Sequence, residues 1–337
     1  MMSINKNIPL YGRNSFGINA YADAMIDFLS VAQLREYFEL NAPGSHAWYP
    51  FGGGNNILFT GDYHGVLLHP ISKCIAIVGS DSRSVTVRAE AGVDWDNFVE
   101  WCVRRDLCGV ENLSRIPGSV GAAPIQNIGA YGVEVKDAVE SVEVFMTDSG
   151  EVNAIPASEC GFGYRDSIFK RELKGRAIIL SARFRLSTES AFRLDYGDLA
   201  KEVASAGGAT LRSVRNAVIA IRERKLPDPK VLGNAGSFFK NPVVGEGVAQ
   251  RLREEYPDMP CYPCDGGRAK LAAGWLIDKA GWKGRREGNV GVHDKQALVI
   301  VNYGGATGKE ILDFARGIQN SVKKKFGVEI EPEVNIL

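Results

Sequence analysis

The chain has 337 residues, 45% hydrophobic and 24% charged, a composition that fits a folded globular protein and excludes a disordered or fibrous one. Forty basic residues balance forty acidic ones, so no overall charge draws the chain to nucleic acid or to an anionic membrane, though a local basic cleft is compatible with that balance. Its length exceeds what one ordinary core serves, and two or three domains are expected.

No apolar leader with a small-residue cleavage site opens the sequence, so a cytoplasmic protein is expected. The longest charge-free stretch, 116–133, holds two prolines, Gln126, Asn127 and four glycines, too much polar and irregular backbone for hydrocarbon. Ser30 with Gln33 predicts a capping box before a helix that buries Val31, Leu34, Tyr37 and Phe38. Short apolar runs follow at 49–51, 57–59 and 66–69, in a stretch that mixes strand and helix patterns. Val85 and Val87 alternate along another strand, and Asp94 caps a helix presenting Trp95, Phe98, Val99 and Cys102. Val142, Val144 and Met146 lead into the turn Thr147-Asp148-Ser149-Gly150, a hairpin.

A helical period at Leu211, Val214, Val218 and Ile221 runs to Lys225 and is broken by Pro227 and Pro229. Beyond it, 271–279 reads as a helix ended by Gly281, and 296–302 as a strand. Thr307 and Glu310 form a second capping box before a face of Ile311, Phe314, Ala315, Ile318 and Val322. Lys323, Lys324 and Lys325 suit the negative end of that helix, and 328–336 is expected to be a strand. The pattern is α+β in three regions: 1–71 joined by 333–337, then 72–226, then 227–332.

Six cysteines are present, and only Cys261 and Cys264 form a C-x-x-C. A second such pair is missing and a closed zinc site needs four ligands, so a surface turn is expected there rather than metal or redox chemistry.

Two segments have backbone chemistry suited to an anion. Phe51-Gly52-Gly53-Gly54-Asn55-Asn56 can turn several N–H groups toward one ligand, although a triple glycine alone is equally an ordinary loop. In 116–132 small residues let a ligand lie against the main chain, with Ser119, Gln126 and Asn127 offering hydrogen bonds. Neither fits G-x-G-x-x-G, since Ile57 occupies the third position.

These segments resemble the FAD loops of the UDP-N-acetylenolpyruvoylglucosamine reductase family. Further matches follow in order: Asn14-Ser15-Phe16-Gly17; Gly163-Tyr164-Arg165-Asp166-Ser167; Tyr196-Gly197-Asp198-Leu199; Lys225-Leu226-Pro227-Asp228-Pro229-Lys230. They continue with Gly233-Asn234-Ala235-Gly236-Ser237-Phe238-Phe239-Lys240-Asn241, Ala272-Ala273-Gly274-Trp275 and Glu331-Pro332-Glu333-Val334. The resemblance spans nearly the whole chain, and the tyrosine segment points to the longer family type, in which an extra loop covers the substrate. It departs from the pattern at Asn55, where serine is common. Glu333 lies four residues from the last residue, so its position is expected to come from the strand 328–336.

The resemblance implies the FAD-binding fold of vanillyl-alcohol oxidase-like flavoproteins in two subdomains, with a separate α+β substrate domain. It implies non-covalent FAD held by Gly52, Gly53, Gly54, Asn55, Asn56, Ser119, Gly121, Ala122, Gln126, Asn127 and Gly129, with NADPH as co-substrate and no metal. The implied reaction reduces the enolpyruvyl ether of UDP-N-acetylenolpyruvoylglucosamine, for peptidoglycan synthesis, by hydride from flavin N5 to C3 and a proton from Ser237 to C2. Arg165 and Glu333 would polarise the substrate carboxylate. Glu333 can help only if protonated or shared with Arg165, so burial is expected to raise its pKa. Tyr196, Lys225, Asn241 and Gln296 match the family's substrate contacts. Singly, Arg165 also reads as a surface ion-pair partner of Asp166, Ser237 as a turn serine and Glu333 as a strand end. Two other functions remain open on this reading: an FAD oxidase or dehydrogenase of the same fold, with His46, His64 and His69 near the glycine cluster, or a non-catalytic nucleotide-sugar-binding protein. Neither nucleic acid nor membrane insertion is expected, and the chain is expected to be a monomer.

Overall fold

In a computed structural model, which describes residues 3–41 and 46–337, the predicted capping boxes open two helices. Ser30 accepts from the Gln33 amide while Gln33 Oε1 accepts from the Ser30 amide, starting helix Val31–Leu40. Thr307 and Glu310 do the same for helix Gly308–Phe326. That helix buries Ile311, Phe314, Ala315, Ile318 and Val322, carries its three lysines in the last turn, and ends at Gly327 in a left-handed conformation.

Packing divides the chain into two units. One takes Met1–Ile8, Ala22–Gly53 and His64–Arg224, and the other takes Pro9–Tyr21, Gly54–Tyr63 and Lys225–Leu337. The last break, between Arg224 and Lys225, falls at the end of helix Leu211–Lys225. Within the first unit, one core joins the N-terminal elements to the strands further along the chain. Leu34, Tyr37 and Phe38 of the first long helix cluster with Ile26, Phe28 and Leu68 and also with Phe145 and Ile178, where Phe38 stacks on Phe145 with ring centroids 5.7 Å apart.

In the first unit a five-stranded antiparallel sheet runs in the order Val152–Pro156, Val139–Met146, Ala177–Ser187, Ser84–Glu90, Ile75–Ser80. Helix Trp95–Val103, capped by Asp94 as expected, lays Trp95, Phe98, Val99 and Cys102 on it. Phe98 and Phe184 have ring centroids 4.5 Å apart, and Trp95 Nε1 donates to the Leu113 carbonyl at 2.9 Å. Truncating such a ring costs about 3–5 kcal/mol. A four-stranded sheet in the order Ser3–Pro9, Tyr21–Phe28, Tyr63–Pro70, Trp48–Pro50 completes the frame.

The second unit holds short sheets. Cys261–Cys264 is not a turn but a strand at the edge of the order Val243–Gly245, Arg268–Leu271, Cys261–Cys264. The strand expected over 296–302 shortens to Ile300–Asn302, because Val299 donates back to the Gln296 carbonyl in a turn. The strand expected over 328–336 shortens to Asn335–Ile336, preceded by an isolated bridge between Phe239 and Pro332. Among the described residues no helix is long and apolar enough to cross a membrane.

Candidate active site

The two small-residue segments meet in the first unit. A Cβ added at Gly52 would stand 2.9 Å from Ser119 Oγ, and one at Gly121 would stand 2.6 Å from the Ala91 Cβ. Residues 118–121 are strapped to 91–95 by Trp95 N–H to Gly118 O, Val120 N–H to Val93 O and Gly121 N–H to Ala91 O. Two bare backbones this close, with the Ser119 hydroxyl at their seam and Ala122 beside it, fit the demand of a dinucleotide diphosphate for converging N–H donors. Gly53 is exposed and Gln126 half-buried. Asn127 is fully buried at a left-handed φ of 47°; its amide donates to Glu134 and to the Gly163 carbonyl, both at 2.9 Å, and accepts from Lys136 N–H. It thereby ties the cofactor segment to the loop that bears Arg165.

Gly54 opens the other unit's share of the glycine loop. Its φ is +63°, and a Cβ there would come 2.1 Å from the Arg13 carbonyl oxygen, so no other residue fits. The Asn14-Ser15-Phe16-Gly17 motif explains itself here. Buried Asn14 closes the loop 10–18 on itself, and Ser15 donates to Gly54 O. Asn55 is half-buried, and Asn56 Nδ2 reaches the Glu333 carbonyl at 3.3 Å.

Arg165 sits at φ 54° in the tight turn bridging Gly163 and Asp166. Its Nη2 donates to the Gly129 carbonyl at 2.8 Å, and its guanidinium lies 5.6 Å from the Tyr164 ring centroid. Asp166 in the same turn pairs with Arg171. Beneath it, Ser167 Oγ anchors the turn to the Ile125 carbonyl at 2.6 Å.

Ser237 and Glu333 come together in the second unit. Buried Asn234 bonds the Pro227 and Leu232 carbonyls and the Gly236 amide, shaping the turn that presents Ser237. The stretch 237–240 then runs between two others. Ser237 bridges Val299 and Phe238 N–H donates to Leu298 O on one side; Glu333 N–H donates to Phe238 O at 2.7 Å and Lys240 N–H to Glu331 O on the other. Backbone bonds of this kind position Glu333 where a strand was expected to.

Asn241 and Gln296 gather at the start of helix Ala273–Lys279. Asn241 Oδ1 accepts from Ala273 N–H at 2.9 Å, and a Cβ at Gly274 would lie 3.4 Å from Gln296 Oε1. Lys225 is exposed at the end of helix Leu211–Lys225. Tyr196 belongs to the first unit, 59% exposed, its ring edge-on to Tyr131 with centroids 6.0 Å apart. Burial pushes the Tyr131 phenol above its ordinary range, leaving it a neutral hydroxyl at pH 7. His64 and His69 face Asp23 and Asp27, the latter pair at 2.7 Å.

Two residues near this site escaped the sequence reading. Arg222 is half-buried, its pKa lowered by desolvation, with Tyr131, Asp96, Arg115 and Arg165 in its field, and its Nε donates to the Arg115 carbonyl at 3.2 Å. Its position one helical turn before Lys225 was the available signal. Asn112, 1% exposed, donates to the carbonyls of Tyr131 and Arg193; an amide next to Glu111 between apolar Val110 and Leu113 was the hint.

The fold and the paired loops define an FAD-dependent oxidoreductase of the vanillyl-alcohol oxidase class. Residues 22–155 match an FAD binding domain. The chain aligns over 98% of its length with 87% of a solvent-stable cholesterol oxidase, at a TM-score of 0.53 and 12% identity. Over its whole length it superposes on 99% of the UDP-N-acetylenolpyruvylglucosamine reductase of Thermus caldophilus, with a TM-score of 0.70 and 22% identity.

Residues 228–337 match the UDP-N-acetylenolpyruvoylglucosamine reductase C-terminal domain. Relatives bearing that enzyme's name include one from Bacteroides fragilis, 47% identical over 99% of this chain and 100% of the relative, and one from Pseudomonas aeruginosa, 48% identical over 99% of each. The chain belongs to the UDP-N-acetylenolpyruvoylglucosamine reductase family. It is an NADPH-dependent flavoprotein oxidoreductase of peptidoglycan synthesis.

Proposed function

We propose that Arg165, Ser237 and Glu333 divide between them the reduction of UDP-N-acetylenolpyruvoylglucosamine to UDP-N-acetylmuramate. FAD, when bound and recharged by NADPH, supplies the hydride that no side chain carries. It would be held by the segments 52–56 and 118–129. The protein's own work begins with the substrate carboxylate, on which negative charge accumulates once the alkene accepts hydride.

A guanidinium grips a carboxylate through two parallel bonds, and Arg165 has one fixed anchor, the Gly129 carbonyl, to hold it for that task. A preorganised donor aimed at developing charge is worth about 3–4 kcal/mol. Glu333 assists as the protonated acid or in a proton shared with Arg165, because a bare carboxylate would repel the enolate. Ser237 gives its hydroxyl proton to C2. Serine is a weak acid, yet a carbanion-like enolate is a strong enough base when the hydroxyl is held close. Tyr196 and Lys225 bind the diphosphate, by phenol and by charge, and Asn241 and Gln296 contact the remainder of the nucleotide sugar.

The observation that supports this reading is the 2.7 Å bond from Glu333 N–H to the carbonyl of Phe238, which puts the backbones that bear Ser237 and Glu333 on adjoining stretches. A nucleotide-sugar-binding protein has no use for that pair. The same reading makes the enzyme a cytoplasmic monomer, since NADPH and nucleotide sugars are cytoplasmic and one chain supplies every reacting group; it needs neither nucleic acid nor a membrane. The test is spectroscopic. NADPH added without oxygen should bleach the purified yellow protein, and the enolpyruvyl sugar should restore the oxidised spectrum. Failure of that sugar to restore colour, with an alcohol reducing the flavin instead, would support the oxidase reading.

A further inference from the structure

We propose that Asn112, with Arg193 as a second tie, is a positioning residue that holds the Tyr196 segment in register for the nucleotide-sugar substrate. The inference rests on the reading of Tyr196 as a substrate contact. Asn112 lies in the short 3-10 turn Glu111–Leu113, and its Nδ2 donates to two carbonyls far apart in sequence: Tyr131 O and Arg193 O, each at 2.8 Å. Tyr131 is the ring against which Tyr196 rests, and Arg193 stands three residues before Tyr196. One amide group therefore fixes the backbone on both sides of the aromatic pair.

The orientation of that amide is settled by chemistry. Turned over, its oxygen would face two carbonyl oxygens; as it stands, Oδ1 is buried and meets no hydrogen-bond donor among the described residues. A buried oxygen without a donor weakens a fold, so this side chain is retained for its two N–H groups. The segment needs them because residues 191–195 form no strand, leaving the Arg193 carbonyl without a ladder partner.

Other contacts fix the same stretch. Arg193 Nη1 donates to Asp137 at 2.8 Å and reaches the Gly132 carbonyl at 3.4 Å. Phe192 and Leu194 pack against the cluster of Leu199, Val203, Val214 and Val218. A Cβ at Gly132 would lie 3.8 Å from that of Tyr196, ordinary contact distance. The base of the tyrosine segment is pinned, while the Tyr196 ring itself stays open to solvent.

The experiment compares Asn112→Ala, Tyr196→Ala and the double variant as FAD-loaded proteins, with Arg193→Ala alongside. For Asn112→Ala, KM for the enolpyruvyl nucleotide sugar should rise about tenfold while flavin content and the limiting rate of flavin reduction by NADPH stay within about twofold. The double variant should show the KM of Tyr196→Ala alone, because the two residues act as one unit. Arg193→Ala, an exposed side chain, should move KM the same way by a smaller factor, and it carries the test if Asn112→Ala does not fold. If Tyr196→Ala leaves KM unchanged, the substrate role of Tyr196 fails. If Tyr196→Ala raises KM but neither Asn112→Ala nor Arg193→Ala does, or the Asn112 effect adds in full to that of Tyr196→Ala, the positioning role is overturned.

Discussion

The Gly129 carbonyl accepts a 2.8 Å bond from Arg165 Nη2, and a Cβ on the same glycine would stand 3.0 Å from Arg165 Nη1. One residue both anchors the guanidinium and, by lacking a side chain, leaves room for it. Gly129→Ala should therefore push Arg165, the flexible partner, off its seat by a few tenths of an ångström. A displacement of about 1 Å costs about a hundredfold, so a loss of about tenfold in the sugar-dependent half-reaction is expected. Stopped-flow traces of the FAD-loaded variant should show the NADPH-dependent half-reaction slowed less than the sugar-dependent one.

Arg165→Lys keeps the positive charge but loses the planar fork. Turnover should fall about a hundredfold or more, as for removal of one donor aimed at developing charge. Circular dichroism and melting temperature should match the parent protein. A variant with full turnover would remove Arg165 from the chemistry.

Asp96 offers a pH prediction. Burial alone would raise its carboxyl, but two bonds from the Arg215 guanidinium, at 2.6 and 3.0 Å, and the Arg115 amide hold it below its ordinary 3.8. The stability this gives is fully present above pH 3.8 and is lost as pH falls through the lower folded value. Arg215→Ala should cost about 2–4 kcal/mol at pH 7, near the lower range for breaking a buried pair. Denaturant curves of parent and variant should draw together as the pH is taken below 3.8; a gap that persists unchanged would show that Asp96 does not carry it.

Cys261 and Cys264 stand three residues apart on one strand, so their Cα atoms are about 10 Å apart and their side chains point to opposite faces. A disulfide needs less than about 7 Å. Replacing both with serine should leave the response to a thiol oxidant unchanged. Among the other thiols, burial pushes Cys160 up to about 12 and raises Cys102 and Cys108 as well, while Cys74 is exposed and is the one open to the oxidant. Loss of an oxidant response in the double serine variant would contradict the strand geometry.

Much of the frame was legible because its signals are local. Ser30 with Gln33 and Thr307 with Glu310 are capping boxes whose partners lie within four residues, and the apolar faces after them follow helical spacing. The strands at 296–302 and 328–336 are shorter than their apolar alternation suggests, since alternation says nothing about a turn closed by Gln296 or about a stretch that only bridges Phe239 at Pro332 before Asn335. Gly54 was read as a ligand glycine; that the Arg13 backbone lies against it is a tertiary fact no spacing contains. Asn112 was passed over for the same reason, its partners lying 19 and 81 residues away. That Phe38 stacks on Phe145 is likewise a tertiary contact that no local spacing contains.

Anaerobic stopped-flow on Ser237→Ala asks whether the Ser237 hydroxyl delivers the proton to C2, the claim on which the proposed chemistry rests. The flavin should still be bleached by NADPH at the parent rate, while its recovery on adding the enolpyruvyl sugar slows about a hundredfold or more. Equal slowing of both half-reactions, or recovery at the parent rate, would contradict the claim.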